Sequence, residues 1–407
     1  YYIDKDYNFY AFHIPTQKNE FIANLEKEIQ TRGKVSSIVH YHDSFFVGFL
    51  MDGILLLEKQ KNTSHYRIQP LPVNSGVFCL KKDRFQDIVW IGTDGQGVYL
   101  YSNPLYSIKS VVLGNYTEKI ERPVRALLQD DERTFWVGTK GNGILKIYDY
   151  EVDKNLSDCR AEVLTTSNSA LGSNAVYCFA RSHRNLLWIG EEEGLTYYSY
   201  REKRIKRLPV RIGNEEFKYI HDIYETADSE LWLASVGMGV VRARIAGTPD
   251  NPLILDAQRY IINDGELGSN YFFTIYAENE ANLLFGNKGY GVFRFNKTTN
   301  GLEPVSTHKY ENMTLNNILA ISKDSSNNYL FGTSYGLIKY TSETSYQLFN
   351  AKNGFLNNTV HAILKNSPDN FWLSTNLGLI NFDTKRNVFR SYGFSDGLKV
   401  VEFSDGA

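Results

Sequence analysis

The chain has 407 residues, with 44 basic and 46 acidic side chains and a formal net charge of −2. That balance excludes the basic excess of a nucleic-acid-binding surface, and no run of eighteen apolar residues is present to cross a membrane as a helix. Hydrophobic residues at 42% and charged residues at 22% describe a globular chain, and 28 Tyr, 24 Phe and 31 Gly against 3 Met favour short strands and tight turns over helices.

Residues 1–14 (YYIDKDYNFYAFHI) share the pattern of IKYTSETSYQLF from Ile338, which predicts the last two strands of a repeating unit. The chain opens on Tyr1-Tyr2 with no leader, as a processed or excised piece would. Thr16–Gly33 reads as a polar insertion with a short helical turn within Asn19–Gln30.

From Val35 onward one layout recurs. Its anchor is a small residue two places after a large apolar one: Gly48, Gly92, Gly138, Gly190, Ala234, Gly286, Gly332 and Ser374. All five tryptophans, Trp90, Trp136, Trp188, Trp232 and Trp372, occupy that large place. About ten residues upstream lies another strand: VSSIV from Val35, VFCLK from Val77, VRALL from Val124, VYCFA from Val176, IHDIY from Ile220, FFTIY from Phe272, ILAIS from Ile318 and VHAIL from Val360. Its third place is never bulky: Ser37, Cys79, Ala126, Cys178, Asp222, Thr274, Ala320 and Ala362. Equivalent strands that crowd one another, as around a ring, explain small residues there.

A glycine turn and two further strands complete each unit. Four short antiparallel strands every 40 to 50 residues form the blade of a β-propeller. The predicted fold is all-β, with four-stranded antiparallel blades and the tryptophans packed between blades. The longer spacings mark insertions at Tyr150–Glu162 and Ala246–Glu266, expected as loops between outer strands. Residues 394–407 resemble the run-in and innermost strand of another blade. Eight complete repeats between two part-blades exceed the usual four to eight per ring, so parts of two tandem rings are expected.

Candidate chemistry falls at five places. Gly95/Gly97, Gly141/Gly143, Gly237/Gly239 and Gly289/Gly291 precede strands rather than helices, so they read as hairpin turns and not phosphate cradles. His40 and His42 share a strand face but lack further ligands at metal spacing, and solvated turn histidines are the expectation. Glu191-Glu192-Glu193 reads as a solvated hairpin tip. The runs Leu171-Gly172-Ser173-Asn174, Leu267-Gly268-Ser269-Asn270, Leu315-Asn316-Asn317 and Leu356-Asn357-Asn358 read as turns held by local hydrogen bonds. The second place of the innermost strand varies sharply: Ser36, Phe78, Arg125, Tyr177, His221, Phe273, Leu319 and His361. Variation on a fixed scaffold describes a binding surface or tolerated blade positions, and Arg125, Tyr177, His221, Phe273 and His361 are the candidate ligand-binding residues. Nothing points to a catalytic residue, a metal or a cofactor. Cys79, Cys159 and Cys178 form no CxxC.

WIGTDGQGVYLY from Trp90, WVGTKGNGILKI from Trp136 and FGTSYGLIKY from Phe331 resemble the two-component-regulator propeller repeat, over essentially the whole chain. The closing SDGLKVVEFSDGA from Ser395 is similar to the segment before the last blade in that family. The resemblance implies the periplasmic sensor region of a Bacteroides-type hybrid two-component system, with tandem seven-bladed propellers. Residues 1–110 would hold the last blades of a first ring and 111–407 most of a second, its final blade absent. It further implies an oligosaccharide ligand, signalling to a downstream histidine kinase that controls polysaccharide use, a homodimer of the full ectodomain, and no nucleic-acid contact by this segment. A propeller lyase or hydrolase acting on glycans, and a protein-interaction scaffold, are the rival readings.

Overall fold

The computed structural model describes residues 1–60, 63, 65–84, 87–102, 122–130, 133–150, 159–262, 270–279, 281–305, 316–342, 344–355, 358–399 and 402–403. The chain divides into two compact units: residues 1–107 with 388–390, and residues 108–387 with 391–407. Both are built from propeller blades, in which successive strands pair antiparallel in chain order.

The first unit holds a three-stranded sheet (Tyr2–Ile3, Asn8–His13, Lys18–Asn24) and a four-stranded one (Val35–Tyr41, Ser44–Phe49, Ile54–Lys59, Tyr66–Pro70). A further sheet follows with Val77–Lys82, Val89–Thr93 and Val98–Tyr101. The expected insertion at 16–33 is therefore part blade: Lys18–Asn24 pairs with Asn8–His13 as an outermost strand, and Glu26–Arg32 is helical. Residues 1–14 accordingly supply a short stub and one full strand rather than two outer strands.

The second unit carries six four-stranded sheets whose innermost strands are Val124–Gln129, Val176–Arg181, Ile220–Glu225, Phe272–Asn279, Ile318–Lys323 and Val360–Ser367. Each innermost strand neighbours the next in chain order, as blades around an axis do. As far as Tyr260 the Ala246–Glu266 insertion is not a loop, and its residues 263–266 lie outside the described residues. Gly239–Thr248 and Asn251–Tyr260 pair along ten residues each, so the extra length prolongs the outer hairpin. Residues 151–158 of the other insertion and most of the innermost strand expected at 400–407 lie outside the described residues, as does residue 110.

The hydrophobic core consists of seams between consecutive blades. Trp136 packs with Val176, Leu187, Ile189 and Tyr198 of the following blade, and Trp188 with Ile220, Ile223, Leu231 and Val241 of the next. Trp232 meets Phe272, Phe285 and Phe295 in the same way. The three indoles are at most 2% exposed, and such large buried aromatic surfaces contribute roughly 1.5–3 kcal/mol each. Two of their N–H groups find carboxylates: Trp136 donates to Asp130 at 2.7 Å and Trp188 to Glu225 at 2.8 Å. The remaining two tryptophans depart from expectation. Trp90 is 38% exposed and Trp372 half-buried, because each stands in the last described sheet of its unit and no following sheet there covers it.

The small anchor is a packing requirement. Opposite every anchor, across the ladder, stands the small third-place residue of the innermost strand, from Ser37↔Gly48 to Ala362↔Ser374. A Cβ on Gly190 would lie 2.4 Å from Cys178 Sγ and 2.7 Å from the Ile220 carbonyl oxygen of the next blade. Equivalent atoms crowd Gly138 (Val176 Cγ1, 2.9 Å) and Gly286 (Ile318 Cγ2, 2.8 Å). We therefore expect Gly190→Ala to destabilise the protein by about 1–3 kcal/mol through overpacking against backbone. Ala234→Gly at the equivalent place should cost only about 0.5–1 kcal/mol, a backbone-entropy effect. Denaturant midpoints of the two variants test this, and a Gly190→Ala midpoint equal to wild type would overturn the steric account.

Candidate functional site

A backbone irregularity positions the variable residues. In all eight innermost strands the pairing register skips between the first and third places, from Val35/Ser37 to Val360/Ala362. The second-place residue is thus the extra, unpaired member of a β-bulge in every blade. Bulges bend the strand and re-aim a side chain out of the regular alternation. The first place stays on the seam, the third faces the anchor, and the second is released from both.

In the second unit the released residues converge. Arg125, Tyr177, His221, Phe273, Leu319 and His361 line one cavity of about 250 Å³, so the five candidate ligand residues come together at a single place. Tyr177 and His221 stack with ring centroids 4.3 Å apart and 20° between planes, and the Arg125 guanidinium lies over the Tyr177 ring at 5.7 Å. Phe273 meets His221 at 80° with centroids 5.4 Å apart. His361 is buried and pairs through Nε2 with Asn376 Oδ1. Burial raises the Tyr177 hydroxyl above the ordinary tyrosine value, with the Glu192 carboxylate adding to it. Ser36 and Phe78 hold the same bulged place in the first unit.

Two sets of lining residues were missed by the sequence reasoning. Leu127, Phe179, Ile321 and Ile363, two places further along their strands, add apolar wall. Asp222 also lines the cavity, and it was legible as the one carboxylic acid in a column of Ser, Cys, Ala and Thr. Its carboxylate bridges two blades, accepting the Ile275 N–H at 2.7 Å and its neighbour Ile223 N–H at 2.8 Å. Burial nevertheless outweighs these donors and pushes its pKa up to about 6.

The other sequence candidates have structural partners. The Gly141 and Gly143 amides both donate to the Asn174 carbonyl of the next blade's run-in at 2.9 Å, and Gly237 and Gly239 do the same to Asn270. Positive φ at these glycines turns the amides toward one acceptor. Asn174, Asn270 and Asn358 side chains accept backbone N–H groups of Thr166, Ile262 and Ala351, which supports the turn reading of those runs. Leu267-Gly268-Ser269, Leu315 and Leu356-Asn357 lie outside the described residues. His42 is held by Asp87 at 2.8 Å rather than solvated, while His40 is exposed. Among the described residues no group of three or more His, Cys, Asp or Glu is placed for a metal ion, and no helix is long and apolar enough to cross a membrane.

Glu191 is the clearest correction. It is fully buried, not a solvated tip, and accepts the Gly172 and Ser173 N–H groups at 2.8 and 2.6 Å. Only Glu192 and Glu193 of the triplet reach polar surroundings, through Ser173 and Lys218. A second hollow of about 380 Å³ lies on the outer strands at Arg242, Arg244 and Asp256. Its charges satisfy one another, Arg244 with Asp256 and Arg242 with Glu230, so it offers less chemistry than the axial cavity.

No family model and no curated protein matches the chain. Solved structures do. The extracellular domain of BT3049 from B. thetaiotaomicron, assigned to a hybrid two-component system, superposes with a TM-score of 0.59 at 23% identity, over 100% of this chain and 53% of that one. That of BT4673 from the same organism, named both as a one-component and as a hybrid two-component system, gives 0.54 at 16%, over 95% and 51%. A catalytically inactive variant of virginiamycin B lyase from Staphylococcus aureus gives 0.55 at 14%, over 74% and 91%. The chain shares the propeller fold of these proteins and spans about half the length of the two extracellular domains.

Burial pushes the Glu191 pKa up to about 7 despite its amide donors. A carboxyl raised above its ordinary ~4.3 is protonated in the folded chain while ionised in the unfolded one between those values. Its stabilisation is present at low pH and lost as pH rises through 7, and Asp222 acts with the same sign around 6. The melting temperature of the protein should therefore fall between about pH 5 and pH 8, and Glu191→Gln should flatten that slope while lowering stability by about 1–3 kcal/mol through the lost acceptor. An unaltered slope in the variant would show that Glu191 does not titrate there.

Proposed function

We propose that the chain is the ligand-sensing part of a periplasmic two-component sensor ectodomain, and that it binds an oligosaccharide in the axial cavity of the second unit. The observation that carries this reading is the convergence of five side chains of four chemical kinds, each from a different blade and each on a bulge, around one cavity. The seam and the anchor contact are supplied by the first and third places, so neither dictates which residue stands at the second. A few polar groups set in an apolar-walled concavity suit a small polar ligand. The fold shared with the two Bacteroides extracellular domains supports sensing as the role. On this reading residues 1–110 end one ring and 111–407 form most of the next, the complete ectodomain dimerises, and the signal passes to a histidine kinase that controls polysaccharide use.

A second reading, a lyase, draws on the two histidines and the near-neutral Asp222 of the cavity, and on the fold shared with virginiamycin B lyase. Calorimetric titration of the protein with neutral and acidic oligosaccharides, followed by chromatography of each mixture, separates the two. Saturable heat with the sugar recovered intact is the expected outcome, and cleavage would favour the enzyme. Tyr177 lies between Arg125 and His221, so stacking on a sugar ring falls to Phe273. Phe273→Ala should weaken binding roughly tenfold, the scale of one aromatic contact, with an unchanged melting temperature. Full affinity in Phe273→Ala would move the site elsewhere.

A further inference from the structure

The charge of the axial cavity says more about its ligand, on the premise that this cavity is the sensing site. We infer that the ligand is an acidic sugar, whose carboxylate or sulfate is held by Arg125 with His221 and His361 nearby.

The lining contains three groups able to carry positive charge, Arg125, His221 and His361, and one acid, Asp222. The acid is turned into the wall. One carboxylate oxygen accepts the Ile223 N–H and the other the Ile275 N–H, so its acceptors hold two blades together rather than facing a ligand. A ligand cation would therefore meet no exposed partner among these lining residues, while an anion meets a fixed guanidinium. Arg125 is always protonated, and its planar fork of N–H donors matches a two-oxygen anion in a way no other lining residue does. The ring of Tyr177 supports that fork from one side, and His221 supports Tyr177 from beyond. The guanidinium thus has an aromatic neighbour on one side, and a donor held beside its ligand site loses less freedom on binding.

Position adds to charge. The bulged place of the first blade could have been filled by any residue, since its seam and anchor duties belong to Val124 and Ala126. In the first unit the equivalent places hold Ser36 and Phe78, neither charged. Leu127, Phe179, Ile321 and Ile363 form an apolar wall in the same cavity. An anionic group at Arg125 and a sugar ring against Phe273 and this wall is the arrangement the lining accommodates.

Three probes of similar size test the inference by calorimetry: trigalacturonate, its fully methyl-esterified form, and a sulfated neutral trisaccharide. Trigalacturonate or the sulfated sugar should bind, the one that does identifying the anion, and the ester should bind at least tenfold more weakly. Arg125→Gln should then weaken the acidic ligand by roughly 10- to 100-fold, the range of one charge-assisted bond, and leave the ester's affinity unchanged. Arg125→Lys, which keeps the charge without the fork, should fall between. Equal binding of ester and acid, or an equal loss of both in Arg125→Gln with an intact melting curve, would overturn the acidic-ligand inference and leave the sugar-sensing reading standing. Silence from all three probes and from neutral oligosaccharides would overturn the sugar-sensing reading itself, and this inference with it.

Discussion

Everything in this structure depends on how closely two neighbouring blades approach near the axis. At six of the eight anchors glycine removes the Cβ, and at five of these, all but Gly92, the next blade crowds the space: Val77 Cγ1 would stand 2.7 Å from a Cβ on Gly48, and Val360 Cγ1 3.0 Å from one on Gly332. Interiors are packed to crystal density, so an added methyl at such a point has nowhere to go without moving backbone. The small third-place residues are the other half of the same constraint, since each faces an anchor across its own ladder. Where a polar atom is allowed there, it becomes a tie between blades. Ser37 Oγ accepts the Leu80 N–H at 3.2 Å, and Asp222 accepts that of Ile275. With the axis set by these contacts, the outer seams follow: tryptophan or phenylalanine of one blade against the aliphatic face of the next, and paired glycine amides clasping the next run-in.

The same constraint explains why the bulge sits where it does. A regular strand alternates faces, so the first and third places would both lie on one side and the second on the other. The extra residue lets the chain satisfy the seam with the first place and the anchor with the third, and leaves the second unpaired. Eight repetitions of this device separate scaffold from surface. The scaffold places are restricted to Val, Ile or Phe at the first position and to residues no larger than Asp or Thr at the third. The second place ranges from serine to arginine to phenylalanine. A local break in the ladder is tolerated because the neighbouring ladder bonds persist on both sides, and the result is a ring of side chains whose identity is uncoupled from folding.

The fold was legible because its packing rule repeats. A small anchor two places after a large apolar residue, returning eight times, leaves little besides a propeller. The candidate residues were legible for a related reason, as the variable column beside one restricted to small residues. What escaped depends on partners distant in sequence. Glu191 looks like its two solvated neighbours until the run-in loop, eighteen and nineteen residues earlier, wraps its amides around it. Lys146 reads as a surface lysine, yet it is buried, donates to Tyr198 of the next blade at 2.7 Å and lies over the rings of Trp136, Tyr148 and Tyr198. The far end of the hairpin, from Ala246 to Tyr260, reads as a loop in sequence because Gly247 and Pro252 stand at its tip. Trp90 carries the full motif but has no following sheet among the described residues of its unit, and a motif cannot report what covers it.

The proposed sensing role asks more of the cavity than binding, and the cavity's construction bears on that. A ligand shifts an equilibrium only by its difference in affinity for the two states, with about 1.4 kcal/mol for each tenfold preference. Its walls come from all six blades of this unit, with Arg125 on the first and His361 on the last. A molecule that touches both therefore depends on the spacing of the whole set, because a small change at each seam accumulates across the intervening blades. Seams that fix position through Cβ-free contacts are stiff, which makes such a change cooperative rather than local. Ligand contact at widely separated blades, rather than tight contact with any one of them, is what would let a rigid ring report occupancy.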